Sequence, residues 1–223
     1  MIPLHDDELG QNLPAVTLLI IAVNVLVFVG WQLRAGVDET VMAAGLIPAH
    51  LTRQGDVEAW LDFVTSMFLH GSWLHLISNM WFLWIFGNNV EDATGHLGFV
   101  IFYLLCGSIA LLTYFASSPD SILPVVGASG AISGVLGAYL VMHPRATVSS
   151  LVLVGIFPRI FHVPAYGFLL YWIAIQFLSQ AVFQAQPRAE GGGVAYLAHI
   201  GGFVAGVGLI FFFRQIPRRE YVR

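Results

Sequence analysis

Charge is scarce in this chain, and lysine is absent from it. Only 10% of the 223 residues are charged, and all nine basic residues are arginine. A soluble domain carries about 25% charged residues, so this sequence cannot cover a water-facing surface. The hydrophobic fraction of 57% and the mean hydropathy of +0.79 are both high. Composition therefore excludes an ordinary soluble protein and predicts an integral membrane protein.

Cysteine and clusters of positive charge are also scarce, and their scarcity limits the possible functions. The single cysteine, Cys106, lies in an apolar run, which excludes an intrachain disulfide and favours a buried thiol. The net charge is −4 and no basic block occurs, so a nucleic-acid partner is excluded. The N-terminus carries Asp6, Asp7 and Glu8 instead of a positive targeting segment. Together with the lack of long polar extensions, this favours a prokaryotic cytoplasmic membrane.

Six apolar runs dominate what is present. A spanning helix needs about 20 mainly apolar residues. The runs predict helices at about 14–33, 73–90, 97–115, 127–143, 163–183 and 194–213. The fourth is short and ends at Pro144, which cannot continue a helix. The predicted fold is all-α: a polytopic six-helix membrane domain over residues 14–213, with tails at 1–13 and 214–223.

Two connections differ from plain loops. Residues 34–69 mix charges with aromatic side chains such as Trp60 and Phe63, which is typical of a segment in the membrane interface. The length of this loop favours a functional role. Residues 145–162 contain an apolar stretch that is too short to span and is followed by Pro158 and Arg159. We interpret them as a connection lying partly in the interface.

Arginine placement predicts the orientation. Six helices put both termini on one side of the membrane. With cytoplasmic termini, six arginines fall in inner segments and three in outer ones. Cytoplasmic segments are enriched in basic residues, so both termini are expected in the cytoplasm.

Three of the predicted helices carry polar residues at a similar depth. The second, fourth and sixth helices would run parallel. Each has polar residues, unusual in an apolar helix, near its outer end: His75 and Asn79, Ser129, and His199. At 1.5 Å per residue they lie roughly 5–12 Å below the outer surface. Ionisable groups inside a membrane are costly and mark functional sites.

These residue types suit acyl transfer. The serine can attack a carbonyl, the histidine can take its proton, and polar donors can hold the oxyanion. No acidic residue lies in the fourth or sixth helix. The arrangement is therefore a Ser–His dyad, with the histidine tautomer set by packing or backbone hydrogen bonds. Small residues on both helices would allow their backbones to approach: Gly130, Gly134, Gly137, Ala198, Gly202 and Gly206.

At this point the sequence resembles the rhomboid family of intramembrane serine proteases over about residues 12–213. The resemblance rests on three motifs in order across six helices: His70-x4-His75-x3-Asn79, Gly127-Ala128-Ser129-Gly130, and Ala198-His199 followed by Gly202-x3-Gly206. It implies that such a protein cleaves transmembrane or membrane-anchored substrates within the lipid bilayer, near the outer membrane face. It also implies that no cofactor or metal is required, and that the fifth helix is a lateral gate.

The resemblance also implies roles for individual residues. Ser129 would be the nucleophile and His199 the general base. His75, Asn79 and the backbone N–H of Ser129 would stabilise the oxyanion. A further set would be structural: His70, Glu91, Gly127, Gly130, Gly202 and Gly206.

Two positions depart from the family pattern. Many members carry Trp-Arg in the loop before the second helix, whereas this chain has Trp60-Leu61-Asp62. Several members have an aromatic residue four positions after the nucleophile, packed against the base; this chain has Ser133. We expect either a less rigidly held His199 or a hydrogen bond from Ser133 to it.

Three alternatives compete with a protease. His70, His75 and His199 could bind a metal ion, but a spacing of five between the first two fits one helix face poorly, and the HExxH pattern is absent. A non-catalytic rhomboid-like protein that binds membrane clients would usually lack the serine or the histidine. A transporter would be expected to show paired broken helices and inverted repeats.

Overall fold

The first membrane helix is interrupted by a change in winding. The computed structural model describes residues 1–8, 10, 12–52, 58–185 and 195–215. After strand β1 (Ile2–Asp6), helix α1 (Ala15–Val27) continues through a π-helical turn (Phe28–Gln32) into α2 (Leu33–Ala35). Such turns re-aim side chains and often accompany functional sites. Here the turn buries Gln32, whose amide reaches the segment that precedes the next long helix.

The first connection folds into short helices. It contains α3 (Val37–Ala44), α4 (Pro48–Leu51), α5 (Glu58–Thr65) and a 3₁₀ turn (Ser66–Phe68). The exposed face of α5 is apolar, since Trp60 and Leu61 are more than 60% exposed. The inner side of the connection is held by Leu46, which exchanges two backbone hydrogen bonds with Val125. Exposed apolar side chains beside a buried inner face fit the predicted interfacial position.

Five further helices complete the bundle. They are α6 (Trp73–Thr94), α7 (His96–Ser117), α8 (Ser129–Met142), α9 (Ala165–Ala185) and α10 (Tyr196–Phe213). The predicted polytopic helical membrane fold is confirmed, with helix ends within about four residues of those expected.

The helices differ in how well they suit lipid. Four described segments are long and apolar enough to cross a membrane: Ala15–Ala35, His96–Ser117, Ala165–Val182 and Tyr196–Phe213. Helix α6 is long but carries polar residues, including Asn88 and Asn89. Helix α8 has only 14 residues and packs against α6, α7 and α10. Its buried Leu136 and Tyr139 show that other helices, rather than lipid, surround it.

A three-stranded antiparallel sheet corrects the all-α expectation in part. Strands β2 (Thr147–Val154) and β3 (Phe157–Pro164) form a hairpin around Gly155, and β1 adds to its edge in the order β1-β2-β3. Most of the predicted connection at residues 145–162 therefore forms two strands, and residues 2–6 of the predicted N-terminal tail form the third. The stretch 151–154 is too short for a spanning helix but long enough for part of a strand, and it is rich in Val and Leu.

The N-terminal strand is fastened to the bundle by side chains. Asp6 Oδ2 accepts hydrogen bonds from Asn89 of α6, at 2.8 Å, and from the hydroxyl of Tyr139 of α8. About two turns nearer the N-terminus of α6, Trp81 Nε1 donates to the Pro3 carbonyl at 2.6 Å. The strand thus connects the two helices that carry His75 and Ser129.

Glu91 fixes the start of the first membrane helix. Its two carboxylate oxygens accept from the backbone N–H groups of Val16 and Thr17, at 2.9 and 2.7 Å. These donors belong to the first turn of α1, where helical N–H groups lack partners. His96 Nδ1 lies 2.6 Å from the same carboxylate. This geometry supports the expected structural role of Glu91, which ties α1 to the C-terminal end of α6.

Candidate active site

Ser129 is the first residue of α8, and a glycine turn delivers it there. Gly127 has a φ of +123°, a conformation that favours glycine. A Cβ at Gly127 would lie 2.7 Å from His75 Nε2, so no larger residue fits between the turn and this imidazole. The Gly127 N–H donates to the Ser66 carbonyl at 2.8 Å. The turn is therefore anchored on the other side as well.

Ser129 and His199 are hydrogen-bonded. The Ser129 hydroxyl donates to His199 Nε2 at 2.8 Å. The helices carrying these two residues meet closely because glycines at their contact have no Cβ. A Cβ at Gly202 would collide with the Gly130 carbonyl, and one at Gly206 would collide with the Gly134 carbonyl. The small-residue faces predicted for these helices thus form a backbone-to-backbone contact between α8 and α10.

The other nitrogen of His199 has a side-chain partner that the sequence did not indicate. His199 Nδ1–H donates to Gln176 Oε1 of α9 at 2.9 Å. Gln176 is only 9% exposed. The expectation that packing or backbone groups alone hold the imidazole was wrong, because a buried amide does so. Gln176 is one of three glutamines in α9, and nothing in the sequence separates it from an amide that merely links helices.

The aromatic neighbour of His199 comes from a different helix than in the family pattern. The Trp172 ring on α9 lies 6.1 Å from the imidazole, centroid to centroid, and stacks on Phe203 at 6.2 Å. Ser133 does not hydrogen-bond His199; its hydroxyl donates to the Ser129 carbonyl at 2.6 Å. The alternative that Ser133 bonds the base was therefore wrong, and Trp172 supplies the aromatic contact.

His75 presents one ring nitrogen to the site. The Gly71 N–H donates to His75 Nδ1 at 3.4 Å. Because a neutral imidazole has one donor and one acceptor nitrogen, this contact puts the hydrogen on Nε2. That nitrogen points at Gly127, two residues before Ser129.

Asn79 supplies a second free donor beside His75. Its amide is 7% exposed, and Nδ2 has no hydrogen-bond partner within the described part of the chain. A buried donor without a partner costs about 1–3 kcal/mol, so its persistence here calls for an explanation. A negatively charged oxygen bound in front of Ser129 would satisfy both free donors.

His70 is held by its backbone rather than by its ring. Gln32 accepts from the His70 N–H at 2.9 Å and donates to its carbonyl at 3.1 Å. Neither ring nitrogen has a hydrogen-bond partner among the residues described, although the ring packs edge-on against His75 at 5.0 Å. His70 therefore supports His75 by packing, which agrees with a structural role. Its ring makes no hydrogen bond among the described residues.

These groups surround one cavity of about 790 Å³. Its walls include the polar side chains of His75, Asn79, Ser129, Gln176 and His199. Loop residues around Gly71 and Pro124 lie at its rim. Such a cavity can hold an extended peptide segment next to the serine hydroxyl. Since both nitrogens of His199 are engaged, the geometry favours serine chemistry over the metal alternative.

The fold and the site together define a polytopic helical membrane protein with a serine and a histidine paired inside a cavity. The family model described as Rhomboid domain matches residues 57–216. The chain belongs to the rhomboid family, which includes serine intramembrane proteases.

Curated relatives agree with this assignment. The chain is 32% identical to Rhomboid-like protein 11, chloroplastic, of Arabidopsis thaliana over 71% of its own length and 54% of that protein. It is 36% identical to Rhomboid protease GluP of Bacillus subtilis over 57% of this chain and 24% of that one. With Rhomboid protease GlpG of Haemophilus influenzae the identity is 26% over 92% and 93%. The relatives thus come from a chloroplast and from bacteria, and they favour no single membrane.

Proposed function

We propose that this protein is a serine endopeptidase that cleaves transmembrane or membrane-anchored proteins. The observation that carries the proposal is the hydrogen bond from the Ser129 hydroxyl to His199 Nε2, inside a cavity lined by His75 and by Asn79, whose Nδ2 has no partner among the described residues. A serine bonded only for packing would not need free donors beside it.

In the first step, Ser129 Oγ attacks the carbonyl carbon of the scissile peptide bond and its proton passes to His199 Nε2. The negative charge develops on the former carbonyl oxygen. His75 Nε2–H, Asn79 Nδ2–H and the Ser129 backbone N–H can donate to that oxygen. The Ser129 N–H is free for this because it lies in the first turn of α8, whose dipole also favours a negative charge there.

In the second step, His199 gives its proton to the leaving amine and an acyl-enzyme forms on Ser129. A water molecule then attacks the acyl carbon while His199 takes the proton of the water. The water can enter from the loop rim of the cavity. Collapse of this second intermediate returns the proton to Ser129 Oγ and releases the new carboxyl end.

The depth of the site limits the substrates. A substrate helix has its carbonyls in hydrogen bonds, and lipid offers no replacement partners. The segment must unwind before Ser129 can reach a carbonyl. Substrates with glycine, proline or polar residues near the outer membrane face should therefore be cleaved best. The glycine-rich turn before Ser129 favours a small residue on the N-terminal side of the cut.

The proposal includes an orientation. Six arginines against three support cytoplasmic N- and C-termini. The cavity then opens on the opposite side of the membrane, and cleavage occurs near the outer face.

The function is tested by cleavage of a reporter in liposomes. The purified full chain is reconstituted with a single-span substrate whose membrane segment contains glycine and proline near its outer end. A matched substrate has leucine at those positions. We expect cleavage of the first substrate, little cleavage of the second, and none with Ser129→Ala. Cleavage that persists in Ser129→Ala would refute the proposed nucleophile. No cleavage by folded wild type would favour a non-catalytic client-binding protein.

A further inference from the structure

Two side chains of α9 contact His199 from one face of that helix. Trp172 and Gln176 are four residues apart, so they lie one above the other on the helix surface. The Trp172 ring covers the imidazole at 6.1 Å, and Gln176 Oε1 accepts from Nδ1 at 2.9 Å.

The hydrogen bond to Gln176 selects the useful tautomer of His199. A neutral imidazole carries its hydrogen on only one nitrogen. To accept the Ser129 proton, Nε2 must have its lone pair free, so Nδ1 must carry the hydrogen. Gln176 Oε1 is an acceptor and stabilises that form. Without it, the hydrogen can shift to Nε2, and the serine loses its base.

We propose that Gln176 is a positioning residue and that the site is a Ser129–His199–Gln176 triad rather than a dyad. The inference rests on the proposed function, since positioning matters only if His199 acts as a base. Gln176 does not touch the reacting atoms; it acts through the imidazole. Neutral third members are chemically sound, as the Cys-His-Asn arrangement of papain-like proteases shows.

The membrane explains why an amide suits this position. An aspartate or glutamate would place a charge in a helix that faces lipid on its other side, and intramembrane charges are expensive. The amide oxygen offers an acceptor for Nδ1–H without that cost. It also stabilises the imidazolium by its dipole, although less than a carboxylate would.

Three variants separate positioning from packing. Gln176→Met keeps the side-chain length and removes the acceptor, whereas Gln176→Glu keeps an acceptor at the same distance. Gln180→Met makes the same change one turn along α9, at a residue that also lines the cavity but for which the described chain shows no hydrogen bond to His199, so it controls for a less polar cavity wall. For each purified full-length variant, kcat and KM for the reporter and the thermal midpoint are measured.

We expect Gln176→Met to lower kcat about 10- to 100-fold, the effect of losing one hydrogen bond to a group that becomes charged. KM should change little in Gln176→Met, Gln176→Glu should recover much of kcat, and Gln180→Met should keep a kcat near that of wild type. An unchanged kcat in folded Gln176→Met would overturn the triad and leave the protease intact. An inactive wild type would instead overturn the proposed function.

A direct measurement does not depend on turnover. Ring-nitrogen NMR of histidine-labelled protein, assigned with His199→Ala, reports which nitrogen of His199 carries the hydrogen. The triad requires Nδ1 in wild type and a loss of this preference in Gln176→Met. Hydrogen on Nε2 in wild type would refute the inference even if Gln176→Met failed to fold.

Discussion

Ser129 and His199 are 70 positions apart in the chain, yet Oγ and Nε2 lie 2.8 Å from each other. The backbones of α8 and α10 set this distance, because Gly202 packs on the Gly130 carbonyl, one residue from Ser129. The reactive pair is therefore only as well aligned as the glycine contact between its two helices.

The glycine contact can be tested with a matched pair of substitutions on α10. Gly206→Ala would drive its new methyl group into the Gly134 carbonyl, whereas a Cβ at Gly208 meets nothing within 4 Å. We expect Gly206→Ala to lower the free energy of unfolding by about 1–3 kcal/mol, as overpacking does. A displacement of about 1 Å between the helices would also lower kcat about 10²-fold.

Gly208→Ala should leave both quantities near the wild-type values. Thermal unfolding in detergent and the reporter assay measure them. Equal behaviour of the two variants would contradict a distance set by the backbone contact.

The oxyanion donors predict a loss of kcat without a loss of binding. Asn79→Ala removes a donor that has no partner in the described resting structure. We expect kcat to fall about 10²- to 10³-fold, as for other oxyanion donors, with KM nearly unchanged. Asn88→Ala, near the C-terminal end of the same helix, is the control and should retain kcat. A normal kcat in Asn79→Ala would remove Asn79 from the proposed mechanism.

Two neighbouring carboxyl groups near the N-terminal strand predict opposite pH effects. Burial raises the pKa of Asp6 above its ordinary value of 3.8, while hydrogen bonds from the Thr147 hydroxyl and amide lower that of exposed Asp7. The folded state thus binds extra protons at Asp6, so this group makes stability fall as pH rises from about 4. Asp7 makes stability fall as pH drops below its ordinary range.

Substitution by asparagine should remove each dependence separately. Asp6→Asn keeps an oxygen acceptor for Tyr139 and should flatten the decline in thermal midpoint as the pH rises above about 4. Asp7→Asn should instead reduce the loss at the acid end, by a smaller amount because Asp7 is exposed. The test is to measure the thermal midpoint of each variant from acid to neutral pH. The same pH slope in Asp6→Asn and wild type would contradict the role given to burial.

The proposed orientation predicts a labelling pattern in intact cells. The one natural cysteine, Cys106, is fully buried and should not react. A membrane-impermeant maleimide should label Asp120→Cys, on the outer connection, without permeabilisation. It should label Arg145→Cys, on the inner side, only after permeabilisation. The reverse pattern would invert the orientation and put the cavity toward the cytoplasm.

The sequence was most informative where one residue type had few explanations. Ser129 and His199 could be predicted as a pair because intramembrane polar residues are rare and both lie among glycines at similar helix depths. The helices could be predicted because apolar runs of this length have few alternatives in a membrane protein.

Other features depended on contacts between distant segments. Gln176 and Trp172 are ordinary residues for a membrane helix, and only the position of α9 makes them neighbours of His199. The sheet required pairing of residues 2–6 with residues 148–151, which no local pattern specifies. Ser133 departs from the family pattern in the sequence, but only the structure shows that its partner is a backbone carbonyl one turn away.

The most direct test of the account is labelling of the purified protein with a fluorophosphonate, which reacts covalently with activated serines. We expect modification mapped to Ser129, none in Ser129→Ala, and a large reduction in His199→Ala. Ser133→Ala, one turn along α8, should still be labelled at Ser129. Absence of labelling in folded wild type, or labelling that is unaffected by Ser129→Ala, would contradict the assignment of Ser129 as an activated nucleophile.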